Sequence, residues 1–436
     1  MDFEQDCIEA RKLAFSFKDP LIVHHYDCDG ITSGSIVISA ISKNSKPPRF
    51  KCIKKLDDNS FEELKNEKEI IFVDLGSGNE RVNELKDVLI IDHHQPKNIS
   101  KTQINPLLYG IDGGFDLSAS GTAYSIFKTK IDLAIVGAIG DMQYPLIGKN
   151  REILNEGIKQ GEIEVISDLR FYGRSTRPLA QFLAFSDEII IPGLSFNESS
   201  CQNFLEDTGI NLKENEKWRT YIDLGENEKE KLKKSLFNLL ISKGLEYRAK
   251  DLIGEIYLLK NRPLRSDLYD ASEFSTILNA CGRHNKPEIG VGVCLGLEGS
   301  YEKSLELLAY HKNTIREGIL YSKNNILDLG NFLFIDAIGA VDEGIIGIVC
   351  GMVLSSYGKK PIFGAAQGEK NTIKISARAN KSLVKAGINL GKIISDACLE
   401  TGGSGGGHKI AAGASIPKDK LPQFLIKINE FVSHLP

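Results

Sequence analysis

Acidic residues and histidines cluster at the ends of four apolar runs in the first third of the chain. The runs are LIVHH (21–25), IIFVDLG (70–76), VLIIDHH (88–94) and LAIVGAIGD (133–141). At or just beyond their C-terminal ends stand His24, His25, Asp27, Asp29, Asp74, Asp92, His93, His94 and Asp141. So many carboxylates brought to one place would repel one another unless a cation neutralised them. The pattern therefore predicts a metal site, provided that the four run ends meet.

The ligand types indicate which metal such a site would hold. Carboxylate oxygens and imidazole nitrogens without thiolates suit Mn2+ or Mg2+ better than a structural zinc site. The number of acidic groups predicts two ions, because two metals about 3.5–4 Å apart can clamp both oxygens of a phosphoester. Taken singly, Asp29–Gly30 is typical of a turn and Asp141 of a helix cap. Their coincidence at four run ends favours a functional site.

The runs also predict the fold that positions these residues. Near-continuous apolar segments separated by helical segments are typical of parallel strands covered on both faces. We predict an α/β doubly wound domain with helices over Thr32–Ser42, Ser60–Asn66, Asn79–Lys86 and Ser120–Lys128. In such a sheet, ligands bind beyond the C-terminal ends of the strands. Since adjacent strand residues face opposite sides, only one of His24 and His25 is expected to join the site.

The length of 436 residues predicts two or three domains. We predict an α/β domain over residues 1–160, a largely helical inserted region over 161–262 and a second α/β domain over 263–436. The third domain is expected to begin with a helix over 270–283 and a strand over 289–296.

A glycine-rich segment near the C-terminus, TGGSGGGHK (401–409), is predicted to be a loop between a helix and a strand. Gly405, Gly406 and Gly407 would let backbone N–H groups approach an anion, and His408 would add charge. A P-loop or dinucleotide-binding loop is excluded, because those loops follow a strand and precede a helix. A flexible turn is the alternative.

Composition narrows the possible partners. The net charge of −4 does not by itself indicate a nucleic-acid-binding protein. Eight cysteines without a C-x-x-C pair predict neither a zinc ribbon nor a disulfide framework. No apolar run of about 18 residues is present, so we predict a soluble, cytoplasmic protein with no membrane partner.

The segment from Arg170 to Arg177 mixes cationic side chains with aromatic rings. Such a mixture suits either the stacking of nucleic-acid bases or packing within the protein.

The four run ends resemble a known set of motifs. HYDCDG (25–30), VDLG (73–76), IDHH (91–94) and VGAIGD (136–141) are similar, in order and spacing, to the motifs of the DHH phosphoesterase superfamily. Further segments, LRFYGRSTRPL (169–179) and SEFSTILNACGR (272–283), resemble archaeal RecJ-like single-strand exonucleases, including the nuclease that associates with the GINS replication complex.

This resemblance implies roles for individual residues. Asp27 would bind one metal and Asp29 the other, with Asp74 bridging them. His93 and Asp141 would complete the second site, and His25 is a further ligand candidate. His94 would lie beside the bridging hydroxide or the scissile phosphate, while Arg378, Gly405, Gly406, Gly407 and His408 would bind the phosphate end of the substrate. Two divalent ions are implied, with Mn2+ preferred and Mg2+ also suitable.

The function implied is removal of nucleotides from an end of single-stranded DNA or RNA, in replication or repair, with GINS as a partner. One alternative is a DHH phosphodiesterase that acts on short oligonucleotides or small nucleotides. The other is a replication scaffold that binds GINS and has secondary nuclease activity. Every expected acidic position is filled, which argues against an inactive scaffold. The inserted region over 161–262 favours a longer substrate or a protein partner.

Overall fold

The computed structural model describes residues 2–43, 47–185, 191–357, 359–369 and 371–433. The chain forms two compact units, Met1–Leu308 and Ala309–Pro436. Within the described ranges, no helix combines the length and the apolar character that crossing a bilayer requires.

A five-stranded parallel sheet forms the centre of the first unit. Its strands are β1 (Leu21–His24), β2 (Arg49–Cys52), β3 (Glu69–Val73), β4 (Asp87–Ile91) and β5 (Thr102–Ile104). Their order is β2-β1-β3-β4-β5, and every neighbouring pair is parallel. The predicted parallel sheet is therefore confirmed, and the chain crosses over β1 between β2 and β3, which makes the ends of β1 and β3 a switch point.

Helices cover both faces of this sheet. They are α1 (Phe3–Ser16), α2 (Cys28–Ser42), α3 (Asp58–Leu64), α4 (Ala119–Phe127), α5 (Ile131–Gly140) and α6 (Gly148–Lys159). Alternate strand residues enter two separate cores, so that Ile71 packs with α2 and α4 while Phe72 packs with Phe61 of α3. The segment predicted as a helix over Asn79–Lys86 forms a short 3-10 helix, Glu80–Glu84.

The prediction of a strand over residues 133–141 was wrong, because this run forms helix α5. The helix is buried on nearly every side, so its sequence lacks the polar face that identifies a surface helix. Gly137 permits the tight packing, since a Cβ there would lie 2.2 Å from Ser120 Oγ and 2.3 Å from Thr32 Oγ1.

The inserted region has a core of its own. Its elements are β6 (Ile163–Leu169), α7 (Leu179–Ala184), α8 (Glu198–Asp207), β7 (Lys213–Glu214), β8 (Lys217–Trp218), α9 (Glu226–Ser242), α10 (Glu246–Ala249) and β9 (Ile253–Leu259). Two side chains of the cationic and aromatic segment from Arg170 to Arg177, Phe171 and Arg174, are buried. Arg174 pairs with Asp168 and Asp270. Packing, rather than base stacking, accounts for these two residues.

The first unit ends with three helices, α11 (Ala271–Arg283), α12 (Pro287–Leu295) and α13 (Ser300–Asn324), the last of which crosses the boundary at Leu308. The prediction of a strand over 289–296 was wrong, because this segment lies in α12. Pro287 occupies the first turn, and Gly296 ends the helix with φ 75°. Helices α11 and α12 pack in the core of the first unit, although the predicted third domain begins at residue 263.

The second unit contains a six-stranded mixed sheet. Its elements are β10 (Ile326–Asp328), β11 (Leu333–Asp336), α14 (Ile346–Tyr357), β12 (Ile362–Gln367), β13 (Thr372–Arg378), α15 (Lys381–Lys385), α16 (Leu390–Thr401), β14 (Ser404–Gly407), β15 (Ala411–Pro417) and α17 (Leu421–Ser433). The strand order is β10-β11-β12-β13-β15-β14, and only β11 and β12 are parallel among these neighbours.

The glycine-rich segment is not the loop that the sequence predicted. Ser404–Gly407 forms the edge strand β14, paired with β15. A Cβ at Gly405 would lie 2.7 Å from the Gly413 carbonyl oxygen, and one at Gly407 would lie 2.6 Å from that of Ala411. The glycines therefore allow a close strand pairing, which their weak strand propensity does not indicate.

Candidate metal centre

Seven side chains at the C-terminal edge of the parallel sheet form three overlapping groups with metal-ligand geometry. The groups are His25, Asp27 and Asp74; Asp74, His93 and His94; and Asp29, His93 and Asp141. One ligand atom from each member lies within 4.8 Å of those of the others in its group. Asp74 and His93 each belong to two groups, so the three groups form one continuous centre.

Asp74 lies where the groups meet. It follows β3 directly, and its backbone is in the left-handed region with φ 62°, a strained conformation of the kind found at functional sites. One carboxylate oxygen is 3.2 Å from His25 Nδ1 and the other is 3.2 Å from His93 Nε2. The side chain is buried, and among the described residues Oδ1 has no hydrogen-bond partner.

The imidazole of His93 is oriented by a backbone carbonyl. Its Nδ1 donates to the Gly113 carbonyl at 2.6 Å, which leaves Nε2 directed at Asp74 and 3.9 Å from Asp29. A hydrogen bond on one ring nitrogen is the usual way in which proteins fix a metal-ligating histidine. Gly113 must be glycine, since a Cβ there would lie 2.3 Å from the His93 carbonyl oxygen.

Asp29 lies in the first turn of α2 and accepts hydrogen bonds from the first turn of α4. Its oxygens accept from the amides of Ala119 at 2.7 Å and Ser120 at 2.9 Å. Burial, together with the charge of Asp74, raises the pKa of Asp29 to about 6. Gly30 lies within α2 rather than in a turn. The close packing there requires glycine, because a Cβ would lie 2.5 Å from the His25 carbonyl oxygen.

Asp92 supports the centre without entering it. It accepts hydrogen bonds from the amides of Ser77 at 2.9 Å and His93 at 2.8 Å. Its Oδ1 also lies 2.8 Å from His94 Nδ1. This hydrogen bond raises the pKa of His94, whose side chain is 55% exposed. His94 is thus held beside the carboxylates with a positive charge favoured on its ring.

His25, not His24, joins the centre. Its Nδ1 lies 3.0 Å from Asp27 and 3.2 Å from Asp74. His24 is buried beneath the centre and donates from Nδ1 to the His25 carbonyl at 2.7 Å. Burial lowers the pKa of His24 to about 4, so its ring remains neutral near pH 7.

Asp141 reaches the centre from the C-terminus of helix α5, rather than from a strand end. Burial and the charge of Asp29 raise its pKa to about 7. One of its oxygens accepts a hydrogen bond from Gln143 Nε2 at 2.9 Å.

Sequence reasoning missed several residues that hold these ligands in place. Asn279 on α11 accepts a hydrogen bond from the amide of Cys28 at 3.1 Å. Gly282 on the same helix packs so closely that a Cβ would lie 1.8 Å from the Tyr26 carbonyl oxygen. No motif spacing could have linked α11 to the loop after β1, since the two are about 250 residues apart in the chain.

The residues predicted to bind a phosphate end lie in the second unit. Arg378 on β13 is opposite Ala411 in the sheet register, and the His408 amide donates to the Ala411 carbonyl at 2.8 Å. Arg378 and His408 therefore lie at the same end of the sheet. The guanidinium lies across the first turn of α14, where a Cβ at Gly347 would lie 2.6 Å from Nη2. Gly406 faces open space.

The donors of the centre fit divalent cations. All of them are carboxylate oxygens or imidazole nitrogens, which Mn2+ and Mg2+ accept. The buried Asp74 Oδ1 lacks a hydrogen-bond donor within the described part of the chain, and burial together with a neighbouring carboxylate raises the pKa values of Asp29 and Asp141. A cation supplies what such a cluster lacks.

Three family descriptions match successive parts of the chain. The DHH family, N-terminal domain, matches residues 20–144, the DHH-CID domain matches 171–253 and the DHHA1 domain matches 330–434. The single-stranded-DNA-specific exonuclease RecJ of Bacillus subtilis is 22% identical over 97% of this chain, which spans 47% of that protein. This chain is a RecJ-like member of the DHH family. The domain boundaries at residues 160 and 262 stay predictions.

Other similar proteins widen this comparison. An uncharacterized protein of Methanocaldococcus jannaschii is 29% identical, with 97% of each chain covered. RecJ of Thermus thermophilus, solved with Mn2+ and with Mg2+, has the same fold. The Mn2+ complex gives a TM-score of 0.61 at 16% identity, and the match covers 100% of this chain and 55% of that one. CDC45 of Entamoeba histolytica gives a TM-score of 0.63 at 15% identity, and the match covers 99% of this chain and 98% of that one.

Proposed function

We propose that this DHH protein is a divalent-metal-dependent exonuclease that hydrolyses phosphodiester bonds of single-stranded DNA or RNA from an end. The observation that carries the proposal is the continuous centre of carboxylates and imidazoles joined by Asp74 and His93. The similarity to RecJ, named as a single-stranded-DNA-specific exonuclease, supports nucleic acid as the substrate.

In this proposal, the ligands divide into two sets. His25, Asp27 and Asp74 would hold one ion, and Asp29, His93 and Asp141 would hold the other, with Asp74 adjoining a histidine of each set. When bound, the ions act as Lewis acids on the phosphoester and promote deprotonation of water. We propose Mn2+ as the preferred ion and Mg2+ as a substitute; RecJ structures have been solved with each of these ions.

His94 contacts the substrate rather than a metal in this mechanism. Its Nδ1 is engaged with Asp92, so Nε2 of the half-exposed ring is the nitrogen available to donate to a phosphate oxygen. The raised pKa of His94, caused by the hydrogen bond to Asp92, keeps that proton in place. In the second unit, we assign recognition of the terminal phosphate to Arg378, His408 and the glycine strand β14.

The test is hydrolysis of end-labelled single-stranded DNA and RNA with Mn2+, Mg2+ or EDTA. Wild-type protein is expected to release mononucleotides stepwise, only when metal is present. Asp74→Asn is expected to lose this activity, whereas Asp207→Asn, an exposed carboxylate on α8, is expected to retain it. Cleavage confined to oligomers of a few nucleotides would instead favour a phosphodiesterase of small substrates. A folded, metal-binding protein without any hydrolysis would overturn the proposal.

A replication scaffold with secondary nuclease activity is the second candidate. It is supported by the similarity of fold to CDC45 over nearly the whole of both chains. In this role, the protein would bind GINS. Co-purification of GINS with an Asp74→Asn variant that lacks nuclease activity would favour this candidate, because a scaffold does not need the metal centre.

A further inference from the structure

The side chain of Gln143 lies behind the metal centre and is 1% exposed. Its Nε2 donates to the Gly113 carbonyl at 2.8 Å and to Asp141 Oδ2 at 2.9 Å. The same Gly113 carbonyl accepts the Nδ1–H of His93 at 2.6 Å. The Gln143 amide nitrogen therefore bonds to Asp141 itself and to the carbonyl that orients His93. Both of these side chains belong to the group Asp29, His93 and Asp141.

A second buried amide determines which way the first one faces. Asn150 on α6 is also 1% exposed, and its Nδ2 donates to Gln143 Oε1 at 2.6 Å. The oxygen of Asn150 accepts from the Ser118 amide at 3.4 Å, which orients Asn150 in turn. Because Asn150 presents a donor, Gln143 must present its oxygen to Asn150 and its nitrogen to Gly113 and Asp141.

We propose that Gln143 and Asn150 form a relay of two buried amides that positions His93 and Asp141 as ligands of one metal ion. This inference rests on the proposed function. Neither amide would touch the substrate, so both are positioning residues. The Asp141 side chain is 31% exposed and needs a fixed donor to keep one carboxylate orientation. Loss of such outer hydrogen bonds typically weakens metal affinity by about 10–100-fold.

Calorimetric titration of Mn2+ into the metal-free protein tests the relay without depending on nuclease activity. Gln143→Met keeps the length of the side chain but removes both donors. Asn150→Asp leaves Gln143 intact, but a carboxylate can only accept, so the Gln143 amide must turn its nitrogen away from Asp141. The matched control is Gln181→Met, since Gln181 contacts Glu198 in the inserted region.

Both relay variants are expected to bind one Mn2+ about 10–100-fold more weakly than wild type, while the control binds as wild type does. Nuclease activity of the relay variants is expected to recover as Mn2+ is raised, which a merely structural defect would not produce. Wild-type affinity in both variants would overturn the relay and leave the proposed function standing. Failure of the wild-type protein to bind Mn2+ would overturn both.

Discussion

Gly282 offers a sharp test of how the metal loop is positioned. This residue lies in the last turn of α11, against the loop that carries His25 and Asp27. In Gly282→Ala, the new Cβ would lie 1.8 Å from the Tyr26 carbonyl oxygen, whereas real Cβ atoms stay beyond 3.0 Å. Helix and loop must therefore separate by at least about 1.2 Å. The contacting atoms are backbone, so no side-chain rotation can relieve the overlap.

The displacement acts directly on the proposed ligands, because Tyr26 stands between His25 and Asp27. A misplacement of roughly 1 Å at a reacting centre costs about 100-fold in rate. We expect kcat/KM on a single-stranded oligonucleotide to fall by about that factor in Gly282→Ala. Overpacking of this kind also destabilises a fold by about 1–3 kcal/mol, which urea unfolding would measure.

Gly351→Ala is the matched control, since a Cβ at this position in α14 meets nothing within 4 Å. This variant should keep full activity, and its free energy of unfolding should rise by about 0.5–1 kcal/mol, because alanine is favoured over glycine inside a helix. A Gly282→Ala protein with wild-type activity, Mn2+ affinity and stability would refute the conclusion that α11 positions the loop.

Three further outcomes are expected. Mn2+ at 100 times its Kd should stabilise the wild-type protein by about 2.7 kcal/mol in thermal unfolding, and equal stabilisation of Asp74→Asn would contradict the ligand assignment. Arg174→Met should cost about 3–5 kcal/mol in urea unfolding, because it leaves the buried Asp270 without its cation and Asp168 with Lys233 alone; a loss below about 1 kcal/mol would show that the network is not coupled to stability. Burial and the charge of Asp270 raise the pKa of Glu273 from 4.5 to about 8, so the folded state keeps a proton that the unfolded state releases. The stability that Glu273 contributes to the folded state is therefore full below about pH 4.5 and is lost as pH rises towards 8, by at most about 1.4 kcal/mol per pH unit. Glu273→Gln, compared with wild type by unfolding at pH 5 and pH 9, should remove that loss. A wild-type dependence of stability on pH in the variant would contradict the assignment.

Much of the metal centre could be predicted from the amino-acid sequence. Three apolar runs end in acidic residues or histidines, and the C-terminal ends of parallel strands meet at one edge of a sheet. Local pattern and sheet geometry alone predict that Asp27, Asp74 and His93 lie together, and the structure places them in overlapping groups.

Other predictions failed where local pattern carries too little information. A helix buried on nearly every side, such as α5, has the same continuous apolar run as a buried strand. Asp141 nevertheless reaches the centre, because the C-terminus of this helix points to the same place as the strand ends. The glycines of β14 are weak strand formers, and only the pairing partner β15 makes that segment a strand.

The sequence by itself determined the chemical types of the ligands and the parallel sheet that gathers them, because both depend on residue identity and short-range periodicity. Only the tertiary structure decided which histidine joins the metal centre, which helix carries Asp141 and which residues orient the ligands. His25, Gly282 and the amides of Gln143 and Asn150 owe their positions to contacts with distant segments. Such contacts depend on how elements pack, and the order of residues along one element does not encode that packing.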